Sequence, residues 1–160
     1  EFMRELILLR HAHAEPAAAD QADLDRPLSP QGLAEAEAAG RWLLENGPVP
    51  DRVLCSPARR TRETLEAVLA ITGYAEQRLE PDIYEATAGT LFGVLQAHAD
   101  AERLLLVGHN PGMERLVALL HSGQSGDYRG MPTASVAVLS LPAQAVIEPG
   151  AARLAAFWWP

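Results

Sequence analysis

Short apolar runs without polar interruptions are the feature that most limits how this chain can fold. Residues 6–9 (LILL) and 104–107 (LLLV) contain no alternating polar positions. A strand with one face in water alternates apolar and polar residues, whereas a strand covered on both faces does not. The two runs therefore predict buried strands of a parallel sheet, which needs helices on both of its faces.

Segments with helical periodicity separate the apolar runs. A Ser-Pro pair at 29–30 predicts an N-cap followed by proline at the first helical position, and Gly47 ends that helix. A second Ser-Pro pair at 56–57 predicts another helix start after a strand at 52–55, and Gly73 marks its end. The remaining predicted elements are a weak strand near Arg78, helices over 90–97 and 113–121, a strand over 135–141 and two weaker C-terminal strands.

This alternation of strands and helices predicts an α/β fold, a three-layer α/β/α sandwich around a mostly parallel central sheet. The chain has 160 residues, which is a one-domain length. We assign the domain to residues 3–160, because Glu1 and Phe2 precede Met3 as a cloning remnant would. Functional groups of such a sheet are expected beyond the carboxyl ends of its strands.

The charge balance limits the partners. Twenty-one acids against 13 bases, all of them arginine, give a net charge of −8. Binding to nucleic acid or to an anionic membrane needs a basic face, so we expect neither as a partner. The single cysteine, Cys55, excludes an internal disulfide and favours a reducing compartment. With no apolar run near the roughly 18 residues of a membrane span, we expect a cytoplasmic protein.

Three predicted strand ends carry residues suited to an anion. Arg10 and His11 follow the first strand, Arg60 lies in the first turn of the second helix, and His109 and Asn110 follow the central strand. Helical side chains lean toward the helix N-terminus, so Arg60 should point back to the edge where Arg10 and His11 emerge. Two guanidinium forks, two imidazoles and two helix N-termini at one edge predict a pocket for a phosphate-like anion.

The sequences around these three points resemble a known family. Residues 8–12 (LLRHA), 56–64 (SPARRTRET) and 107–111 (VGHNP) are similar to the histidine phosphatase superfamily, which has the phosphoglycerate-mutase-like fold. The RPLS sequence at 26–29 and Gly32 also agree with its pattern. The short length and the Arg-His-Ala opening look most like SixA-type phosphohistidine phosphatases. The chain departs from the family at Ala12, where glycine is usual.

The resemblance implies a metal-independent phosphatase, with no cofactor, that carries the phosphoryl group on His11. Arginines and histidines would replace a metal ion in holding its oxygens, and Glu85 would donate a proton to the leaving group. Neighbouring cations should lower the pKa of His11 and keep its ring neutral for attack. The implied catalytic residues are His11, His109 and Glu85, and the implied substrate-binding residues are Arg10, Arg60, Ser56 and Asn110.

Other interpretations stay open from the sequence. The substrate could be a phosphohistidine-containing protein or a small phosphomonoester such as a sugar or nucleotide phosphate, and a non-catalytic phosphate-binding module is a third possibility. His11, His13 and His109 could instead hold a metal ion, although two neighbouring arginines would repel it. Glu85 could be a plain surface acid. The segment from 85 to 103 is too short for a large helical lid, which predicts an open mouth that can admit a protein surface.

Overall fold

The computed structural model describes residues 3–160, so the interpretation of Glu1 and Phe2 as a cloning remnant lies outside the described residues. The strands are β1 (Met3–Arg10), β2 (Arg52–Cys55), β3 (Glu76–Leu79), β4 (Arg103–Gly108), β5 (Val136–Pro142) and β6 (Arg153–Trp158). The helices are α1 (Pro30–Asn46), α2 (Arg59–Thr72), α3 (Ala88–Ala97) and α4 (Gly112–Ser122), with short 3-10 turns at Asp23–Asp25 and Pro81–Ile83.

All six strands form one sheet in the order β3-β2-β4-β1-β5-β6. The pairs β2–β3, β2–β4 and β1–β4 are parallel, whereas β1–β5 and β5–β6 are antiparallel. The two apolar runs lie side by side at the centre, with Leu6 opposite Leu104 and Leu9 opposite Val107. The predicted mostly parallel sheet is confirmed.

Helices cover both faces of this sheet. Leu6 and Leu8 of β1 belong to the core that includes residues of α3 and α4. Ile7 and Leu9 point to the opposite face and belong to the core that includes residues of α1 and α2. Since all four side chains are completely buried, the uninterrupted apolar run is explained by the predicted three-layer sandwich.

The structure corrects the predicted start of α2. The helix begins at Arg59 with Ala58 as its N-cap, so the Ser-Pro pair at 56–57 does not cap it. Ser56 Oγ accepts a hydrogen bond from the Ala58 N–H and lies 2.7 Å from Nε2 of His109. Ser29, in contrast, caps α1 as predicted, because its side chain accepts from the Gly32 N–H.

The prediction of two weaker C-terminal strands is also wrong: within residues 3–160, β6 alone follows β5. The segment between them bonds to the end of α4 instead, where the N–H groups of Gly150 and Ala152 donate to the carbonyls of Leu119 and Leu120. These bonds satisfy carbonyl groups that the end of a helix leaves free. None of the helices in the described chain is both long and apolar enough to cross a membrane.

Candidate active site

The parallel strands β1, β4 and β2 end at one edge of the sheet. Their register places Arg10 opposite Gly108 and Cys55 opposite Val107, so the residues that follow each strand emerge together. The rings of His11 and His109 lie 5.3 Å apart between centroids. The structure thus brings together residues from three distant parts of the sequence, as expected for carboxyl ends of parallel strands.

One nitrogen of the His11 ring is fixed by the backbone. Its Nδ1 lies 2.7 Å from the carbonyl oxygen of Ala12, which can only accept a hydrogen bond. Nδ1 therefore carries the proton and Nε2 carries the lone pair. The Ala12 N–H in turn donates to Oγ1 of Thr64 in α2, which ties this turn to the helix.

The pKa of His11 is lowered to about 4, mainly by burial, with the charges of Arg60 and Arg10 lowering it further. The sequence predicted the direction from the cations alone. In the structure the pKa is lowered, as predicted, but burial of the ring contributes more to the lowering than the charges of the arginines do. The ring is neutral at pH 7, as a nitrogen nucleophile must be.

Arg10 and Arg60 each bond to a backbone carbonyl through Nη1 and leave Nε unpaired within the described chain. Nη1 of Arg10 donates to the carbonyl of Met131 at 2.9 Å, and Nη1 of Arg60 donates to the carbonyl of Asp23 at 2.8 Å. The Nε atoms of both arginines and Nδ1 of His109 are buried without a hydrogen-bond partner in the described chain. Because buried polar atoms are nearly always paired, three unpaired ones in a single site indicate a site for an external polar group. The guanidinium groups can only donate, so that group must accept.

Asp23 connects the loop before α1 to this site, and sequence reasoning missed it. Its Oδ2 accepts from Nη2 of Arg60 at 3.0 Å and from the Tyr84 hydroxyl at 2.6 Å, and its Oδ1 accepts from Nη1 of Arg26 at 3.0 Å. These bonds, that from Tyr84 foremost, hold the pKa of Asp23 well below its usual range. No local signal marks Asp23, since Arg60 lies 37 residues and Tyr84 lies 61 residues away in sequence.

His109 is buried between Ser56 and Tyr84. Its Nε2 lies 2.7 Å from Oγ of Ser56, and the Tyr84 ring meets its ring edge-on at 5.6 Å between centroids. Burial, followed by the proximity of His11 and Arg60, lowers the pKa of His109 to about 3. Ser56 is itself completely buried, so it reaches the site through His109 rather than through its own surface.

A cleft of about 390 Å³ opens beside His109 and Arg60, and Glu85 lies on its wall. Glu85 is exposed and its backbone is in the left-handed region, with φ 54°. A side chain at Gly112 would place its Cβ 2.5 Å from the carbonyl oxygen of Ala86. Glycine there lets the start of α4 approach this segment closely, and the two together form part of the wall of the cleft.

Asn110 lines the same cleft, but its side chain is engaged within the protein. Its Nδ2 donates to the Met131 carbonyl at 2.9 Å, and its Oδ1 accepts from the Glu114 N–H at 3.2 Å. Met131 therefore receives hydrogen bonds from both Asn110 and Arg10, which joins the loop before β5 to the site. A larger cleft of about 600 Å³ lies between α4, β6 and residues 127–131, and no candidate site residue lines it.

His13 and Cys55 lie near the site but do not take part in it as a metal ligand or a nucleophile. His13 is exposed and its Nδ1 lies 2.6 Å from Oγ of Ser29, so its ring engages the cap of α1 rather than grouping with His11. Within residues 3–160 no three side chains of the His, Cys, Asp and Glu types form a group able to hold a metal ion. Burial raises the pKa of Cys55 to about 12, so its thiol stays protonated and is a poor nucleophile.

Comparison with known proteins shows the family of this chain. The sequence profile of the histidine phosphatase superfamily (branch 1) matches residues 6–103. An uncharacterized protein of Mycobacterium tuberculosis is 40% identical over 159 residues, covering 92% of this chain and 98% of that protein.

Two solved structures are similar over nearly the whole chain. One is a candidate SixA phosphohistidine phosphatase from Nakamurella multipartitia, with 34% identity, a TM-score of 0.82 and coverage of 100% of this chain and 98% of that chain. The other is the protein histidine phosphatase SixA in complex with tungstate, with 26% identity, a TM-score of 0.83 and coverage of 98% and 97%. The profile match and these likenesses show that this chain belongs to branch 1 of the histidine phosphatase superfamily, as a SixA-like phosphatase with the phosphoglycerate-mutase-like fold.

Proposed function

We propose that this phosphatase removes phosphoryl groups from phosphohistidine-containing proteins, without a metal ion, through a covalent phosphohistidine on Nε2 of His11. One observation carries the proposal. The His11 ring, with Nδ1 held by the Ala12 carbonyl, lies beside two arginines whose buried Nε atoms are unpaired. This arrangement supports a neutral nucleophile next to donors that suit phosphoryl oxygens.

In the first step, the lone pair of His11 Nε2 attacks phosphorus and the bond from phosphorus to the substrate's imidazole nitrogen breaks. Arg10 and Arg60 stabilise the charge on the transferring oxygens, which is the larger part of catalysis in phosphoryl transfer. The substrate's imidazole takes a proton from solvent on its other ring nitrogen, and the electron pair of the broken bond stays on the nitrogen that carried phosphorus, so that the ring leaves as neutral imidazole. An imidazole is a good enough leaving group to need little help from Glu85.

In the second step, a water molecule attacks phosphorus and displaces His11. The bond from phosphorus to Nε2 breaks, its electron pair returns to the ring, and inorganic phosphate leaves. Covalent catalysis of this kind splits one difficult displacement into two easier ones. We propose Glu85 as the proton donor only where the leaving group is an alkoxide, because an alkoxide must be protonated as it departs.

A protein substrate is favoured by the exposure of the cleft wall. Between Glu85 and β4 the chain forms only α3, a helix of 10 residues, and Glu85 itself is exposed. Such a mouth suits a phosphorylated side chain presented on a protein surface.

The six strands share one sheet, which supports our assignment of residues 3–160 to a single domain.

The direct test is to trap the intermediate. A ³²P-labelled phosphohistidine protein is mixed with the enzyme and quenched in alkali, and the enzyme is recovered. We expect acid-labile label on the wild type and on His13→Ala, and none on His11→Ala. His13 is the matched control, because it is a histidine two residues away that contacts Ser29 instead. Label that persists on His11→Ala would refute the covalent role of His11.

The substrate class is tested with a panel of phosphohistidine proteins, sugar phosphates and nucleotide phosphates, with and without a chelator. We expect turnover of phosphohistidine that the chelator does not change. Turnover of small esters alone would identify a small-molecule phosphomonoesterase. Phosphate binding without any turnover would identify a binding module.

A further inference from the structure

We propose that Ser56 is a positioning residue that fixes His109 in the tautomer with its proton on Nδ1. In that form His109 is a neutral hydrogen-bond donor to a phosphoryl oxygen. The inference rests on the proposed function for its purpose, but the tautomer itself follows from hydrogen bonding within the protein.

Within residues 3–160, the hydroxyl proton of Ser56 has one acceptor within reach. Ser56 is completely buried, so water cannot take the proton. Its Oγ already accepts from the Ala58 N–H at 3.3 Å, and its other contact is Nε2 of His109 at 2.7 Å. A buried hydroxyl left without an acceptor is costly, so the proton is donated to Nε2.

The ring of His109 must then carry its own proton on Nδ1. A neutral imidazole has one N–H, and Nε2 is occupied as an acceptor. Nδ1 has no partner in the described chain, and His109 lines the cleft beside Arg60, so this N–H is the donor that His109 can offer to an oxygen of a substrate bound there. The opposite tautomer would leave the Ser56 proton unpaired and would turn a lone pair toward the phosphoryl oxygens.

This arrangement gives two neutral histidines different tasks. At His11 the Ala12 carbonyl accepts a hydrogen bond from Nδ1–H, which leaves the Nε2 lone pair for attack. At His109 the Ser56 hydroxyl donates a hydrogen bond to Nε2, which leaves Nδ1–H for donation to the substrate. The two rings lie 5.3 Å apart between centroids, and each tautomer depends on the hydrogen-bond partner behind its ring.

The test is a long-range ¹H–¹⁵N NMR spectrum of the ¹⁵N-histidine protein at pH 7. The His109 signals are assigned by their loss in His109→Gln. In the wild type we expect a protonated Nδ1 and an unprotonated Nε2. A wild-type His109 that carries its proton on Nε2 would overturn the proposal, whatever the activity of the enzyme.

Variants of two hydroxyl residues separate positioning from folding. Ser56→Ala should mix the two tautomers of His109 and raise the dissociation constant of inorganic phosphate about five- to tenfold, the effect of losing one well-placed donor. Ser56→Thr keeps the hydroxyl and should keep the wild-type tautomer. The control is Thr61→Val, because Thr61 is equally buried and donates to the Ser56 and Ala58 carbonyls without touching His109. It should lower stability but leave the tautomer unchanged.

The outcomes distinguish this inference from the proposed function. If Ser56→Ala mixes the tautomers of His109 but no label is trapped on His11, the catalytic proposal fails and the role of Ser56 in fixing the tautomer stands. If label is trapped but Ser56→Ala leaves the tautomer unchanged, the role of Ser56 fails and the catalytic proposal stands. A tautomer change in Thr61→Val as large as in Ser56→Ala would also refute a specific role for Ser56.

Discussion

Asp23→Asn tests whether a half-exposed carboxylate holds the buried Arg60 in place for phosphate. The carboxylate accepts hydrogen bonds from Arg60, Arg26 and Tyr84. The Arg60 side chain is 8% exposed and that of Asp23 is 49% exposed. Asparagine keeps the size of the side chain and the backbone bond to Arg60 but removes the charge. We expect Arg60 and Tyr84 to lose their fixed positions, and phosphoryl transfer to slow.

The size of the effect follows from the exposure of the pair. A hydrogen bond to a charged group contributes about 1.5–3 kcal/mol when buried, whereas an exposed ion pair contributes about 0.2–1 kcal/mol. Because Arg60 is buried and Asp23 is half-exposed, we expect the loss of stabilisation to lie between these values, at about 1–2 kcal/mol. That corresponds to a decrease of about 5- to 30-fold in kcat/KM.

The assay is kcat/KM with p-nitrophenyl phosphate at pH 7, together with the inhibition constant of inorganic phosphate. Asp25→Asn is the matched control, since it removes the same charge from the same 3-10 turn. A competing view is that Asp23 withholds Arg60 from the substrate. In that case Asp23→Asn would bind phosphate more tightly and turn over faster, and either result would refute our reasoning, as would a loss no larger than that of Asp25→Asn.

Four further outcomes are expected. Because the pKa of His11 is lowered to about 4, the neutral ring persists above that pH. The limb of kcat/KM due to His11, corrected for ionisation of the substrate, should then fall only below about pH 4, and a limb near 6.5 would contradict this. Stability should also fall with the pH, because in the unfolded chain His11 binds a proton below about pH 6.5, whereas in the folded chain it does so only near pH 4. The free energy of unfolding, measured by urea titration, should therefore decrease as the pH falls toward 4. The decrease should be smaller in His11→Asn. Glu85→Gln should lower kcat less than about threefold with phosphohistidine but more than tenfold with an alkyl phosphate; equal losses in stopped-flow rates would argue against a proton-donor role. Gly32→Ala would drive its Cβ into the carbonyl oxygen of His13, so it should destabilise the protein by about 3 kcal/mol or more. An unchanged urea midpoint would contradict this and show that the turn can move away.

The fold was predictable because its signals are local. The runs at 6–9 and 104–107 are apolar at every position, as strands of a sheet covered on both faces are, and the structure buries all of them. Ser29 with the following proline predicted the start of α1 correctly. The same reasoning failed at Ser56, because a serine hydroxyl bonds to whichever partner lies nearest, and here that includes a histidine 53 residues away.

By itself, the sequence determined the three-layer α/β/α sandwich and the edge of its sheet at which Arg10, His11 and His109 emerge. These features depend on the order of strands along the chain and on the rule that parallel strands end on one side. The tertiary structure alone decided that Asp23 holds Arg60 and that burial, more than charge, keeps His11 neutral. Contacts between distant residues and the exclusion of water arise only when the chain packs, so no local pattern of residues records them.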